Sequence, residues 1–244
     1  MVVYKRAYVT TVKFSLLSFI MWVFLLPIIF ANENSCHGGC WVIDFNRANN
    51  FVNASYDNSQ QRIFTEWQQL IMRIQPYSEN DKISAINDFF HQNISYRADI
   101  LVHGIEDFWA TPLELIGQGV GDCEDYAIAK YITLRLAGVE SSKLRLIYVR
   151  ARIGGETSNI SQAHMVLGYY PTPTAEPLIL DSLQRAIQPA SQRADLTPVF
   201  SFNSEGLWAG TTNRRSTSSP VSRLSSWQRV IERMEQQGIS LELK

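Results

Sequence analysis

The most constraining feature of the chain is a helical stretch with no polar side. From residue 122 to 137 it carries Tyr126, Ala127, Ile128, Ala129, Tyr131, Ile132, Leu134, Leu136 and Ala137. Apolar residues at nearly every angle leave no face for water, so such a helix must be the buried centre of a fold. Gly138 is placed to stop it. The glycine-rich "GQGVG" opens it, and Asp122 is a natural N-cap. Cys123 then falls in the first turn, where the helix dipole favours a thiolate. Gly119 and Gly121 let the backbone turn tightly and keep side chains away from an approaching substrate. Against this, Asp122, Glu124 and Asp125 crowd the same thiol with negative charge, which holds its proton on.

The flanks of this helix differ in kind. Before it, Ile63, Phe64, Trp67, Leu70, Ile71 and Ile74 recur at helical spacing over residues 60–75 and stop at Pro76. A second helix is expected from Glu79 to Asn93, capped by Ser78, with Ile83, Ile86, Phe89 and Phe90 on one face. The stretch "DFNRANNFVNASYDNSQ" reads as a polar entry, and Leu113–Ile116 as a short helical turn. After it, "LRLIYVRARI" (144–153), "QAHMVLGYY" (162–170) and "PLILDSL" (177–183) read as strands. The first two should pair antiparallel. A fourth strand is expected near Val199–Phe202, and an amphipathic helix around Ser225–Gln237 closes the chain. Helices first and strands afterwards define an α+β fold.

The 244 residues are 45% hydrophobic, enough for one domain with a real core, and the net charge of −1 argues against nucleic acid or an anionic membrane as partner. Arg214, Arg215 and Arg223 fall in a Ser/Thr-rich stretch and read as a solvated loop. At the N-terminus, Lys5, Arg6 and Lys13 precede an uncharged run from Phe14 to Phe30, followed by Ala31 and polar residues. This is the layout of an export signal over residues 1–31, cut after Ala31, or of an uncleaved anchor. Either way the body, residues 32–244, lies outside the cytoplasm. In an oxidising compartment Cys36 and Cys40 of "SCHGGC" are expected to form a local disulfide, with a partial metal site using His37 as the other reading. Both leave Cys123 unpaired.

A thiolate nucleophile needs a base, and the base needs an acceptor to orient it. His37 lies in the entry segment, His91 late in a helix and His103 in a loop. His164 alone sits inside an expected strand, and Asp181 is a polar residue near the end of the next. If those strands pair, the two are cross-strand neighbours. Singly, each has a plain structural reading: a buried cysteine, a satisfied core histidine and a turn-forming aspartate. Together they match the papain and transglutaminase geometry.

The segments "WATPLELIGQGVGDCEDYAIAKYITLRLAGV", "QAHMVLGYY" and "LILDSL" strongly resemble the bacterial transglutaminase-like cysteine proteinases of the LapG family, over roughly Trp41 to the C-terminal helix. The resemblance implies a papain/transglutaminase-like fold in the periplasm and a calcium-dependent protease. Its substrate would be a large surface adhesin, cut near its N-terminus after paired alanines, which loosens biofilm. Its regulator would be an inner-membrane c-di-GMP receptor of the LapD kind. By position, Cys123 is the nucleophile, His164 the base and Asp181 the orienting acid; Asp122 and Glu124 match calcium positions, joined by Asp125. The oxyanion would be held by the Cys123 amide and a second donor, with Gln118 and Trp109 as candidates. Two other functions use the same residues: an acyl transferase or amidase with this triad, and a calcium-binding interaction module with an inert cysteine.

Overall fold

The computed structural model describes residues 39–154, 158–172, 174–210 and 224–242. The expected export signal, Cys36, His37, Arg214, Arg215 and Arg223 lie outside the described residues. No helix among the described residues is long and apolar enough to cross a membrane.

The chain enters through strand β1 (Cys40–Ile43) and three helices, α1 (Phe45–Ser55), α2 (Asn58–Ile74) and α3 (Glu79–Asn93). Strand β2 (Ser95–Tyr96), helix α4 (Asp99–Val102), helix α5 (Pro112–Gln118) and strand β3 (Val120–Gly121) lead into helix α6 (Cys123–Leu136). Strands β4 (Leu144–Arg152), β5 (Ser161–Tyr169), β6 (Leu178–Leu180), β7 (Gln188–Pro189), β8 (Leu196–Phe202) and β9 (Leu207–Ala209) follow. Helix α7 (Ser225–Gln236) and strand β10 (Ile239–Glu242) close the described chain.

Caps fix the helix starts. Asp57 accepts the amides of Ser59 and Gln60 to begin α2, and Ser78 accepts that of Asp81 to begin α3. Thr111 and Glu114 form a reciprocal capping box around the start of α5. That helix ends at Gly119, whose φ of 67° suits glycine. Several short elements go beyond the sequence reading, α1 and β1 among them. The polar entry is helix α1, capped by Asp44 and burying only Ala48 and Val52. Strand β1 pairs antiparallel with β10, a partner almost two hundred residues away, beyond the reach of local pattern.

Strands β7-β6-β5-β4-β8-β9 form one antiparallel sheet in that order. Alternation splits it into two faces. Leu144, Leu146, Met165, Leu167, Leu180 and Phe202 join the main core with the helices, whereas Ile147, Val149, Val166 and Ile179 make a small cluster behind. Helix α6 packs against α3, α5 and β5, and all its residues from Cys123 to Leu136 are buried. Its polar members are each answered. The Arg135 guanidinium donates to the carbonyls of Gly39 and Val139, and Lys130 donates to Asn87 Oδ1 at 2.9 Å. Thr133 Oγ1 accepts from Trp67 Nε1 at 2.9 Å while donating to Ala129. Cys40 is disulfide-bonded and Cys123 is free.

The Trp67–Thr133 bond joins two fully buried side chains. Thr133→Val keeps the shape but orphans the indole N–H, a loss of about 1–3 kcal/mol. Thermal unfolding should show a Tm lower by roughly 2–4 °C per kcal/mol, with activity at room temperature retained.

Candidate active site

The site is assembled at the N-terminal end of α6, where that helix meets β5. Parallel pairing of β2 with β3 brings Tyr96 level with Gly121, directly before the helix. Gly121 is there because nothing larger fits: a Cβ would lie 2.4 Å from Leu115 Cδ1 and 2.6 Å from Asp125 Oδ2. Cys123 opens the helix, 5% exposed. The backbone of Met165, the residue after His164 on β5, is close enough to the thiol to lower its proton affinity slightly. Burial first, and then the neighbouring Cys123, Asp122 and Glu124, raise the Tyr96 hydroxyl above its ordinary value.

His164 and Asp181 meet directly, Nε2 to Oδ1 at 2.7 Å, both nearly excluded from water. The β5–β6 register pairs Leu167 with Leu180, so Asp181 lies diagonal to His164 rather than opposite it. Nε2 faces Asp181, so Nδ1 is the ring nitrogen left for proton exchange. The thiol itself donates to Glu124 Oε2, whose other oxygen takes the Tyr148 hydroxyl at 3.4 Å. Burial first, and then the charge of Glu124, push the Cys123 thiol well above its ordinary value.

Asp181 is held on every side. Leu183 donates its amide to Oδ1 at 2.9 Å, and Arg193 donates Nη2 to Oδ2 at 2.6 Å. Its carbonyl receives Lys130 Nζ at 3.1 Å and lies 2.8 Å from His91 Nε2. Burial would raise its carboxyl, but the hydrogen bond and charge of His164, the Leu183 amide and Arg193 outweigh that and hold it well below the usual range.

The acids around the thiol form a second feature. Ligand atoms of Asp122, Cys123 and Glu124 lie within 4.8 Å of one another, as do those of Asp99, Asp122 and Asp125. Asp99, on α4, was not singled out by sequence. Asp125 takes the amides of Ala110 at 2.6 Å and Asp122 at 3.2 Å, so it also braces the helix entry. Asp122 Oδ1 and Asp99 Oδ1 are buried without partners. Burial and the neighbouring carboxylates push Asp122 up to about 9. Burial, Asp99 and Glu124 push Asp125 up to about 8 against its two amides. The Asp99, Asp122 and Asp125 group is all oxygen, with two orphaned atoms, and fits a hard divalent cation such as calcium.

The two oxyanion candidates separate. The Trp109 indole N–H is taken by Asp107 at 2.8 Å, and its ring stacks on Phe202. Gln118 ends α5 with its side-chain oxygen buried and without a partner. Tyr96, Tyr148, Arg193 and Lys130 are additional side chains around the site. Only Lys130, a charge amid the apolar residues of the helix, carries a sequence signal.

A first-turn thiol on a buried helix, against an antiparallel sheet that carries a His–Asp pair, defines a cysteine protease of papain/transglutaminase type. The chain belongs to the bacterial transglutaminase-like cysteine proteinase family, whose model matches residues 50–196. Three solved structures of LapG from Legionella pneumophila are similar to it. One is 38% identical with a TM-score of 0.66, covering 79% of this chain and 98% of that one. An EGTA-treated form is 39% identical, TM-score 0.68, with the same coverage. A calcium-bound form is 40% identical, TM-score 0.67, covering 79% and 99%. No curated protein matches the chain.

Because a methyl at Gly121 collides with Asp125 and Leu115, Gly121→Ala displaces the helix entry. Misplacing a nucleophile by about 1 Å costs on the order of a hundredfold in rate. Gly121→Ala should lose activity to about that extent while circular dichroism reports a folded protein.

Proposed function

We propose that the chain is a calcium-dependent endopeptidase of the periplasm that cuts a large cell-surface adhesin near its N-terminus, releasing it from the outer membrane and dispersing biofilm. The observation that carries this reading is the convergence of a first-turn thiol, a buried His–Asp pair and a crowded acid cluster at one end of α6. Similarity to LapG of Legionella pneumophila along nearly all of that chain, in a calcium-bound form among others, supports it.

In this reading Cys123 is the nucleophile. His164 takes the thiol proton at Nδ1, and Asp181 at Nε2 fixes the tautomer and balances the imidazolium. The thiolate attacks the scissile carbonyl. The Cys123 amide, among the free N–H groups at the start of α6, receives the oxyanion. Gln118 and the Tyr96 hydroxyl are the candidates for second donor; Trp109 is less suited, since Asp107 already takes its indole N–H. His164 then gives its proton to the leaving amine. Water attacks the thioester with His164 as base, which frees Cys123. Asp122, Glu124 and Asp125, with Asp99, would hold calcium. Bound there, it supplies positive charge that offsets the carboxylates' repulsion of a thiolate. An inner-membrane c-di-GMP receptor of the LapD kind would sequester the protease when the nucleotide is abundant.

The test is cleavage of an N-terminal adhesin fragment carrying a paired-alanine site. Wild type with calcium should give two products. Cys123→Ala should give none yet still bind calcium. Excess chelator should stop wild type, and added calcium should restore it. Unchanged cleavage in chelator would sink the metal reading, and a single cross-linked species would mean acyl transfer instead.

A further inference from the structure

Arg193 lies in the turn after β7, twelve residues beyond Asp181, and belongs to none of the groups expected to touch substrate. It is nonetheless 6% exposed. A buried guanidinium is kept only with strong partners. Its partners are two carboxylates. Nη2 donates to Asp181 Oδ2 at 2.6 Å, and the Asp195 carboxylate takes Nε at 3.0 Å and Nη2 at 2.8 Å. Asp195 is 39% exposed, so it anchors the guanidinium from the solvent side. The main chain is tied as well: Leu196 donates its amide to the Arg193 carbonyl, and Arg193 donates its own to Ala190.

The two oxygens of Asp181 are therefore divided. Oδ1 serves His164 and the Leu183 amide, and Oδ2 serves Arg193. A carboxylate with one oxygen bound to a guanidinium that a second carboxylate holds in place is restrained from rotating its other oxygen away from the imidazole. We propose that Arg193, braced by Asp195, is a positioning residue for the protease: it sets the orientation of Asp181 and through it the orientation and tautomer of His164. The inference rests on the reading of Asp181 as the acid of the triad. The balance of charge agrees. Arg193 neutralises part of Asp181, so the His–Asp pair need not be carried as an uncompensated buried anion before the thiol ionises.

The test uses calcium-loaded full protein and p-nitrophenyl acetate, a reporter that needs only the nucleophile and its base, with Cys123→Ala as the blank. Arg193→Met should lower kcat roughly 10- to 100-fold with KM within about twofold, as for loss of an orienting contact rather than of substrate binding. Arg193→Lys, which keeps the charge, should recover part of the loss, and Asp195→Asn should give a smaller one. In an Asp181→Ala background, Arg193→Met should change kcat less than about twofold, because residues that act through one another are not additive. The idea is overturned by wild-type kcat in Arg193→Met, or by an equal loss with and without Asp181. Should Arg193→Met not fold, the Lys and Asp195→Asn variants decide it by the same readings: wild-type kcat in Asp195→Asn together with no kcat change in Arg193→Lys would sink the brace. Wild-type activity in Asp181→Ala alone would remove the triad reading and the brace with it. Failure of the Arg193 variants alone leaves the triad standing.

Discussion

Carboxyl groups held within a few ångströms of one another and of a thiol, in a place largely closed to water, cannot all be charged at once. At the head of α6 the protein sets Asp99, Asp122, Glu124 and Asp125 in that position. Burial first, and then their mutual repulsion, raise the proton affinities of Asp122 and Asp125, and the thiol gives its hydrogen to Glu124. Either protons or a cation must resolve the conflict. With protons the thiol is inert. With a divalent cation bound, as proposed above, the same oxygens would become ligands and the thiol would be free to ionise. The chemistry of the site is thereby tied to the local charge, and the hard-oxygen character of the donors selects the kind of ion.

That conflict can be sustained only because the helix beneath it is immovable. Every residue of α6 is buried, and its polar members are tied to partners in α2 and α3, just before β1 or beside its own C-terminus. An amphipathic helix on the surface would tilt or fray to separate the acids. Here movement would break the main core, so strain at the helix start is borne by the whole domain. Gly121 and the Asp125 brace extend this rigidity one turn before the helix, where the backbone must pass close to Leu115.

The parts of this design that were legible in the sequence were those that violate local expectation. A cysteine among acids before an apolar helix, and a histidine and an aspartate within apolar strands, stand out because each contradicts its surroundings. The order of helices and sheet, and most of their boundaries, followed from periodicity. What was hidden obeyed local expectation. Helix α1 buries only two side chains and is built from asparagines, so its pattern is that of a loop. Asp99 and Arg193 lie in polar segments, where a charged residue is ordinary. Only the fold brings Asp99 to Asp122 and Arg193 to Asp181. Strands β1 and β10 are four residues each, and neither signals a partner at the other end of the chain.

Asp181 shows how the two halves of the protein share one task. Its carboxylate is addressed from the sheet side by His164 and Arg193, and its carbonyl from the helical side by Lys130 and His91. Lys130 is fully buried, and burial lowers its proton affinity to about 7 against the pull of Asp181. A buried lysine is costly, and an apolar residue of similar volume would pack the helix as well. Its bonds go to Asn87 on α3 and to the main chain at the end of β6, so it stitches the helical layer to the strand end that presents the acid. The nucleophile is fixed by one end of α6 and the acid by its middle. The distance between them is then set by the pitch of a single rigid helix, which is the most reproducible ruler a polypeptide offers.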